Sequence, residues 1–309
     1  MVAGFLLAAY AVVSNDSIQT LGTFLASNSH RPWWVLSLFS SSILVAVLVY
    51  GWISNGGDPA YGRLEKFPMP DGGVQFIHVM APLVLLVLTQ FGVPVSTTFL
   101  VLTVFAPKNI ESMLTKSAIG YVVAFLVALL LYSLVLGKLS EHFHDTKDQE
   151  PTATLVALQW ASTGFLWAQW LIQDLANIFV FLPRQVELWQ LLLAIFALVV
   201  MQAIMFFRMG GAIQKIVLSK TGTTDIRAAT IVDLIFGVIL LVFKEWNNMP
   251  MSTTWVFLGL LAGREIAMSR LLGEKTLQET WRLIFTDAGK AFLGLVVSVA
   301  LAYLAVTFG

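Results

Sequence analysis

Two carboxylates and two hydroxyl triplets hold most of the chemistry this chain can do. Asp16 stands in Ser14-Asn15-Asp16-Ser17, with Gln19 one turn further on, and Asp174 stands in Gln173-Asp174-Leu175-Ala176-Asn177. Both interrupt apolar runs. An ionised carboxylate in a transmembrane helix costs about 2.5–3.5 kcal/mol even on a lenient insertion scale, so two of them need a reason. A carboxylate beside Asn or Gln, with helix-break carbonyls near, makes an oxygen cage for a hard cation such as Na⁺, or else a proton site. The competing reading places one or both aspartates at a hydrated interface.

The hydroxyls come as Pro94-Val95-Ser96-Thr97-Thr98 and Pro250-Met251-Ser252-Thr253-Thr254, each opening an apolar run. Ser and Thr at the start of a helix cap its free N–H groups, and that end carries partial positive charge. Two such ends meeting would offer hydroxyl and N–H donors to a tetrahedral anion without burying a fixed positive charge. The plainer alternative is that the triplets only cap and pack helices. Lys244-Glu245 precedes the second triplet and reads first as an internal ion pair, second as a charge lent to an anion. His142-Phe143-His144-Asp145 lies in a charged stretch with no partner ligands and reads as a solvated loop.

Elements that could position these residues follow from hydropathy. The sequence is 58% hydrophobic and 12% charged, with 18 basic and 18 acidic residues and no cysteine. That composition argues for lipid as the solvent, removes disulfide and thiolate chemistry, and leaves no basic field for nucleic acid. Full spans are expected near Trp33–Ile53, Ile119–Leu136, Leu188–Phe207 and Ala288–Phe308. The other apolar runs are broken: Val2–Val13 then Ile18–Ala26, Val79–Leu88 then Phe99–Ala106, Ala153–Ile172 then Leu175–Leu182, and Ala228–Phe243 then Trp255–Ala262. Backbone freed at such breaks must face protein, water or ligand. The run at Val2–Val13 lacks a basic flank and a cleavage pattern, so it reads as retained.

Aligning the breaks exposes an internal repeat, because Asp16 precedes Pro94 by nearly the distance that separates Asp174 from Pro250. The glycine pairs Gly56-Gly57 and Gly210-Gly211 keep the same order. The expected architecture is therefore all-α and polytopic, with two inverted repeats, 1–150 and 151–309. Each would hold a broken first helix, a span, a re-entrant hairpin tipped by the triplet, and a closing span. Lys138–Pro151 would link them. The loops near Arg31, Lys138–Lys147, Arg208–Arg227 and Arg264–Arg282 hold most of the basic residues, which places them in the cytoplasm and both termini outside. Arg63, Lys66, Lys108, Lys116 and Arg184 fall on the other side. Trp33, Trp34, Trp189 and Trp281 read as interfacial anchors.

In these motifs the chain resembles the inorganic phosphate transporter family, which includes sulfate permeases. Its members carry G-A-N-D-x-x-N-x-x-G-T and P-x-S-T-T-H elements in each repeat, matched here by Ser14 to Ser17, Leu21-Gly22-Thr23, Gln173 to Asn177 and the two triplets. Ser14 and Ile172 replace the glycine, Gln173 an asparagine, and Phe99 and Trp255 the histidine. The resemblance implies a secondary transporter in the cell membrane that couples phosphate, or alternatively sulfate, to Na⁺ or H⁺. Substrate would be held by Asn15, Gln19, Ser96, Thr97, Thr98, Gln173, Asn177, Ser252, Thr253 and Thr254. The coupling cation would be held by Asp16 and Asp174. Bound Na⁺ is the one cofactor in view, and a homodimer is left open. From other classes, an anion channel shares the architecture, and a membrane-embedded enzyme would have only His78 near a hairpin. No G-x-x-x-x-G-K-[ST] loop is present for ATP.

Overall fold

A computed structural model of the chain describes residues 1–91, 93, 95–136, 151–210, 214, 226–246, 250–272 and 276–308. Among them there is no strand. In order come α1 (Val2–Ser27), α2 (Trp33–Ser54), α3 (Phe76–Gln90), a π-helical turn (Thr98–Leu102) leading into α4 (Thr103–Phe105), and α5 (Ile110–Leu131). Then follow α6 (Ala153–Asp174), α7 (Ala176–Phe179), α8 (Leu188–Phe207), α9 (Ile226–Trp246), α10 (Thr253–Leu272) and α11 (Leu277–Phe308). Pro94, Asn247, Asn248, Gly211, the stretch 138–150 with His142 and His144, and Lys215 and Lys220 lie outside the described residues.

Among the described residues, five stretches are long and apolar enough to cross a membrane: Trp33–Ser54, Pro107–Leu134, Leu188–Phe207, Ile226–Trp246 and Leu277–Thr307. The chain is a polytopic, all-α membrane protein. Four of these stretches overlap the spans read from hydropathy. On α8, Leu192, Leu193 and Phe196 are exposed together, which suits a face turned to hydrocarbon. Trp33, Trp34, Trp189 and Trp281 are exposed, as anchors should be.

Three elements differ from the sequence reading. The first helix is not broken at Asn15-Asp16, because α1 runs unbroken from Val2 to Ser27. Its polar residues are served inside the helix: Ser14 donates to the Ala11 carbonyl (3.3 Å), Thr20 to the Asp16 carbonyl (3.1 Å) and Gln19 Nε2 to Asn15 Oδ1 (3.2 Å). With no Gly or Pro at that point, nothing stops propagation. In the corresponding place α6 ends at Asp174 and a short α7 resumes at Ala176, but Leu175 between them keeps helical dihedral angles and the bonds to Leu171 and from Phe179, so the interruption is one residue long. The first limb of the second hairpin is longer than Ala228–Phe243 and could span by itself, whereas α3, at 15 residues, is about 22 Å long and falls short. The second limb, α10, runs on past Ala262 to Leu272.

That extension is possible because α10 lies directly on α5. A Cβ at Gly259 would meet the backbone of Tyr121, and one at Gly263 the carbonyl of Phe125. Small residues let two helix backbones approach where hydrocarbon gives no hydrophobic drive.

Helix neighbours exchange between the halves. α1 packs on α3 as α6 packs on α9; α1 touches α8 as α6 touches α2; and α5 lies on α10 as α11 lies on the π-turn and α4. The spans α2 and α8 also pack on each other. Each closing helix thus supports the hairpin limb of the other half. Both spans stop in the same way, with Gly57 N–H donating to Trp52 O (2.8 Å) and Gly210 N–H to Met205 O (3.0 Å). These glycines hold φ of 96° and 75°, values that side chains resist.

Candidate functional site

The helix starts after the two triplets share one local design. Ser96 Oγ accepts the Phe99 N–H (3.2 Å) and Ser252 Oγ accepts the Trp255 N–H (3.1 Å), which are N-cap bonds. Their carbonyls accept from Leu100 N–H (3.0 Å) and Val256 N–H (3.3 Å), so helix follows at once. Phe99 and Trp255, the residues next after each triplet, lie with ring centroids 5.7 Å apart. The two tips therefore meet. Capping is fulfilled by the serines alone, which leaves the threonines for other work.

Those threonines face the aspartates. Thr98 Oγ1 donates to Asp174 Oδ1 (3.2 Å), and Asn177 Nδ2 donates both to that oxygen (2.7 Å) and to Thr98 Oγ1 (3.2 Å). Thr97 lies beside Asp16, and Thr253 beside Asp174. Asn15 Nδ2 donates to Asp16 Oδ1 at 2.7 Å. Consecutive residues of one tip thus reach carboxylates from both halves of the chain, and the two carboxylates lie within electrostatic reach of each other. Asp16 is 2% exposed and Asp174 1% exposed. The interface reading of the aspartates is ruled out by that burial.

Several oxygens here are buried without a hydrogen-bond partner: Asp16 Oδ2, Asp174 Oδ2, Thr97 Oγ1, Gln173 Oε1 and Asn177 Oδ1. Orphaned acceptors are costly unless something positive meets them. Hard oxygen donors of this kind suit Na⁺, and a proton would satisfy a carboxylate equally. The donor set fits a cation.

The remaining expected residues divide. Ser252, Thr253 and Thr254 are buried at the second tip, where Ser252 N–H donates to Ser117 Oγ (2.8 Å). Gln173 turns to α9, its Nε2 on the Leu240 carbonyl (3.1 Å). Gln19 stays within α1, bonded to Asn15. His78 takes a structural part: its Nδ1 accepts the Gln75 N–H (3.2 Å) and its ring lies 4.6 Å from Phe105. Lys244 and Glu245 form an ion pair at 3.2 Å, but Glu245 is exposed, so the pair is not the internal one expected.

One expectation fails outright, namely that no fixed positive charge is buried near the site. Arg63, expected in an outer loop, is 2% exposed and within electrostatic reach of Asp174; Lys116, expected there too, is buried on α5 within reach of Arg63. Asp233 on α9 is a third buried carboxylate. Thr23 donates to its Oδ1 (2.7 Å) and Thr163 to its Oδ2, while Gln159, Asn28 and Arg31 continue the chain of bonds outwards. As a lone acid inside the run Ala228–Phe243, Asp233 was detectable from sequence. Arg63 was not, since only the packing of its loop buries it.

No family model matches the chain, and no curated protein does. Among solved structures the fold is similar to one described as the sodium-dependent phosphate transporter, with a TM-score of 0.60 over 100% of this chain and 98% of that one. Identity is 15%, so the likeness is one of fold.

Proposed function

We propose that the protein is a secondary active transporter of the cell membrane that moves inorganic phosphate coupled to Na⁺ or H⁺. The observation that carries this reading is the meeting of two serine-capped helix starts over two buried aspartates. The helix starts supply N–H and hydroxyl donors for a tetrahedral anion, and the carboxylates supply the place for the cation that makes an anion tolerable beside them. Repeats 1–150 and 151–309 in opposite orientation explain the exchange of helix neighbours, and such an arrangement lets a site at the repeat interface open to either side in turn. The similar fold of a sodium-dependent phosphate transporter supports the same reading.

Phosphate is preferred over sulfate on hydrogen-bond grounds. Near neutral pH phosphate keeps a hydroxyl that can donate to a carboxylate, whereas sulfate has only acceptors and meets a carboxylate with repulsion. Asp174 Oδ2, buried and unpartnered, is suited to accept that proton. The test is competition in proteoliposomes. Unlabelled phosphate should suppress uptake of labelled phosphate far more strongly than equal sulfate does. Equal suppression by sulfate would turn the assignment to a sulfate permease of this fold.

A further inference from the structure

The two aspartates occupy corresponding places in the chain but have different electrostatic surroundings. The segment that follows α2 is sewn onto the chain just beyond the interruption at Leu175. Val186 N–H donates to Gly57 O (2.9 Å), Trp52 Nε1 donates to Val186 O (2.7 Å), and Arg184 reaches the Phe67 carbonyl. On its other flank Asn109 Nδ2 donates to Lys66 O at 2.6 Å, tying the segment to the start of α5. Arg63 is held between these ties. It is almost wholly buried, its Nη1 has no hydrogen-bond partner, and Asp174, with Oδ2 equally unpartnered, lies within its electrostatic reach along with Glu245. In the segment that follows α8, the described Gln214 is also directed inwards, and it is neutral. Gln214 donates from Nε2 to the Gly22 carbonyl of α1 (2.9 Å), one and a half turns beyond Asp16.

The geometry points to Arg63 as a built-in counter-charge for Asp174, so that Asp174 needs no mobile cation and Na⁺ is carried at Asp16. A buried guanidinium cannot lose its proton under physiological conditions and cannot leave, so it serves where a bound Na⁺ would otherwise be required. Asp16, with no such fixed cation among the described residues near it, keeps a place for a mobile one. This inference rests on the reading of the site as a cation-coupled phosphate carrier.

It is tested by counting Na⁺ bound per chain, with radioactive Na⁺ on purified full-length protein in detergent and inorganic phosphate present. Asp16→Asn should lose one bound Na⁺ relative to wild type, and Asp174→Asn should lose none. Arg63→Gln should gain one and need about tenfold more Na⁺ for half-maximal phosphate binding. Arg63→Lys should match wild type in number. Loss of a Na⁺ in Asp174→Asn overturns the inference, as does an unchanged count in a folded Arg63→Gln protein. Should Arg63→Gln fail to fold, the two aspartate variants decide the matter by themselves. A wild-type protein that binds no Na⁺ also overturns it, while phosphate uptake by that protein under another gradient would leave the transporter reading standing.

Discussion

At the scale of single residues, the threonines of the first tip matter most, because Thr97 and Thr98 address different carboxylates. Thr98 both donates to Asp174 and accepts from Asn177, so Thr98→Val removes one bond from each of two buried groups that remain bonded to each other and frees the carboxylate from the tip. Each such bond is worth about 0.5–1.5 kcal/mol. Uptake by Thr98→Val should therefore fall by at least tenfold, with protein abundance little changed. Asp16→Asn and Asp174→Asn keep volume and remove charge, and each should lower cation-driven uptake far more than it lowers abundance. Unaltered Na⁺ and pH dependence in both would take the aspartates out of the coupling site. The residue types of this site were legible in sequence because carboxylates and repeated hydroxyl triplets are conspicuous in an apolar chain. Arg63 was not, since the segment that carries it is tied at Gly57, Lys66 and Phe67 to Val186, Asn109 and Arg184, which are distant in sequence.

Among the elements, the helices interrupted by polar residues were the hardest to read. Polarity alone suggested a break at Asn15-Asp16, yet Asn15 bonds to Asp16 and Gln19 within α1 and the helix continues. The interruption at Leu175, a single residue that keeps helical dihedral angles, has much the same polar signature. Both aspartates are met from the first tip, Asp16 by Thr97 and Asp174 by Thr98, so polarity does not tell the two places apart. Helix contacts give sharper predictions. Gly263→Val drives a side chain into the Phe125 carbonyl and should destabilise the protein by about 1–3 kcal/mol or more, seen as a lower melting temperature in detergent. Gly289→Ala, which meets nothing within 4 Å, should be neutral or slightly stabilising. Asp233→Leu leaves the Thr23 and Thr163 hydroxyls without their acceptor, and should also lower the melting temperature, by more than Asp233→Asn does.

For the whole molecule, the claim is that two halves of one chain deliver corresponding parts to one site. Hydropathy gave the spans well, because chain length against membrane thickness is a coarse and robust signal. The exchange of partners, with each closing helix braced against the other half's hairpin, could not be seen without coordinates, since sequence order says nothing of which hairpin a span will meet. The absence of cysteine makes the meeting of the tips easy to probe: Phe99→Cys with Trp255→Cys should be joined by a short bifunctional thiol reagent within one chain, and the single variants should not. The most direct test of function is the initial rate of labelled phosphate uptake into proteoliposomes, with and without an inward Na⁺ or H⁺ gradient. A carrier of the kind proposed predicts saturable uptake that concentrates phosphate above the external level only while a cation gradient stands. Uptake that never exceeds equilibration and ignores both gradients, or phosphate currents at channel rates, would contradict it.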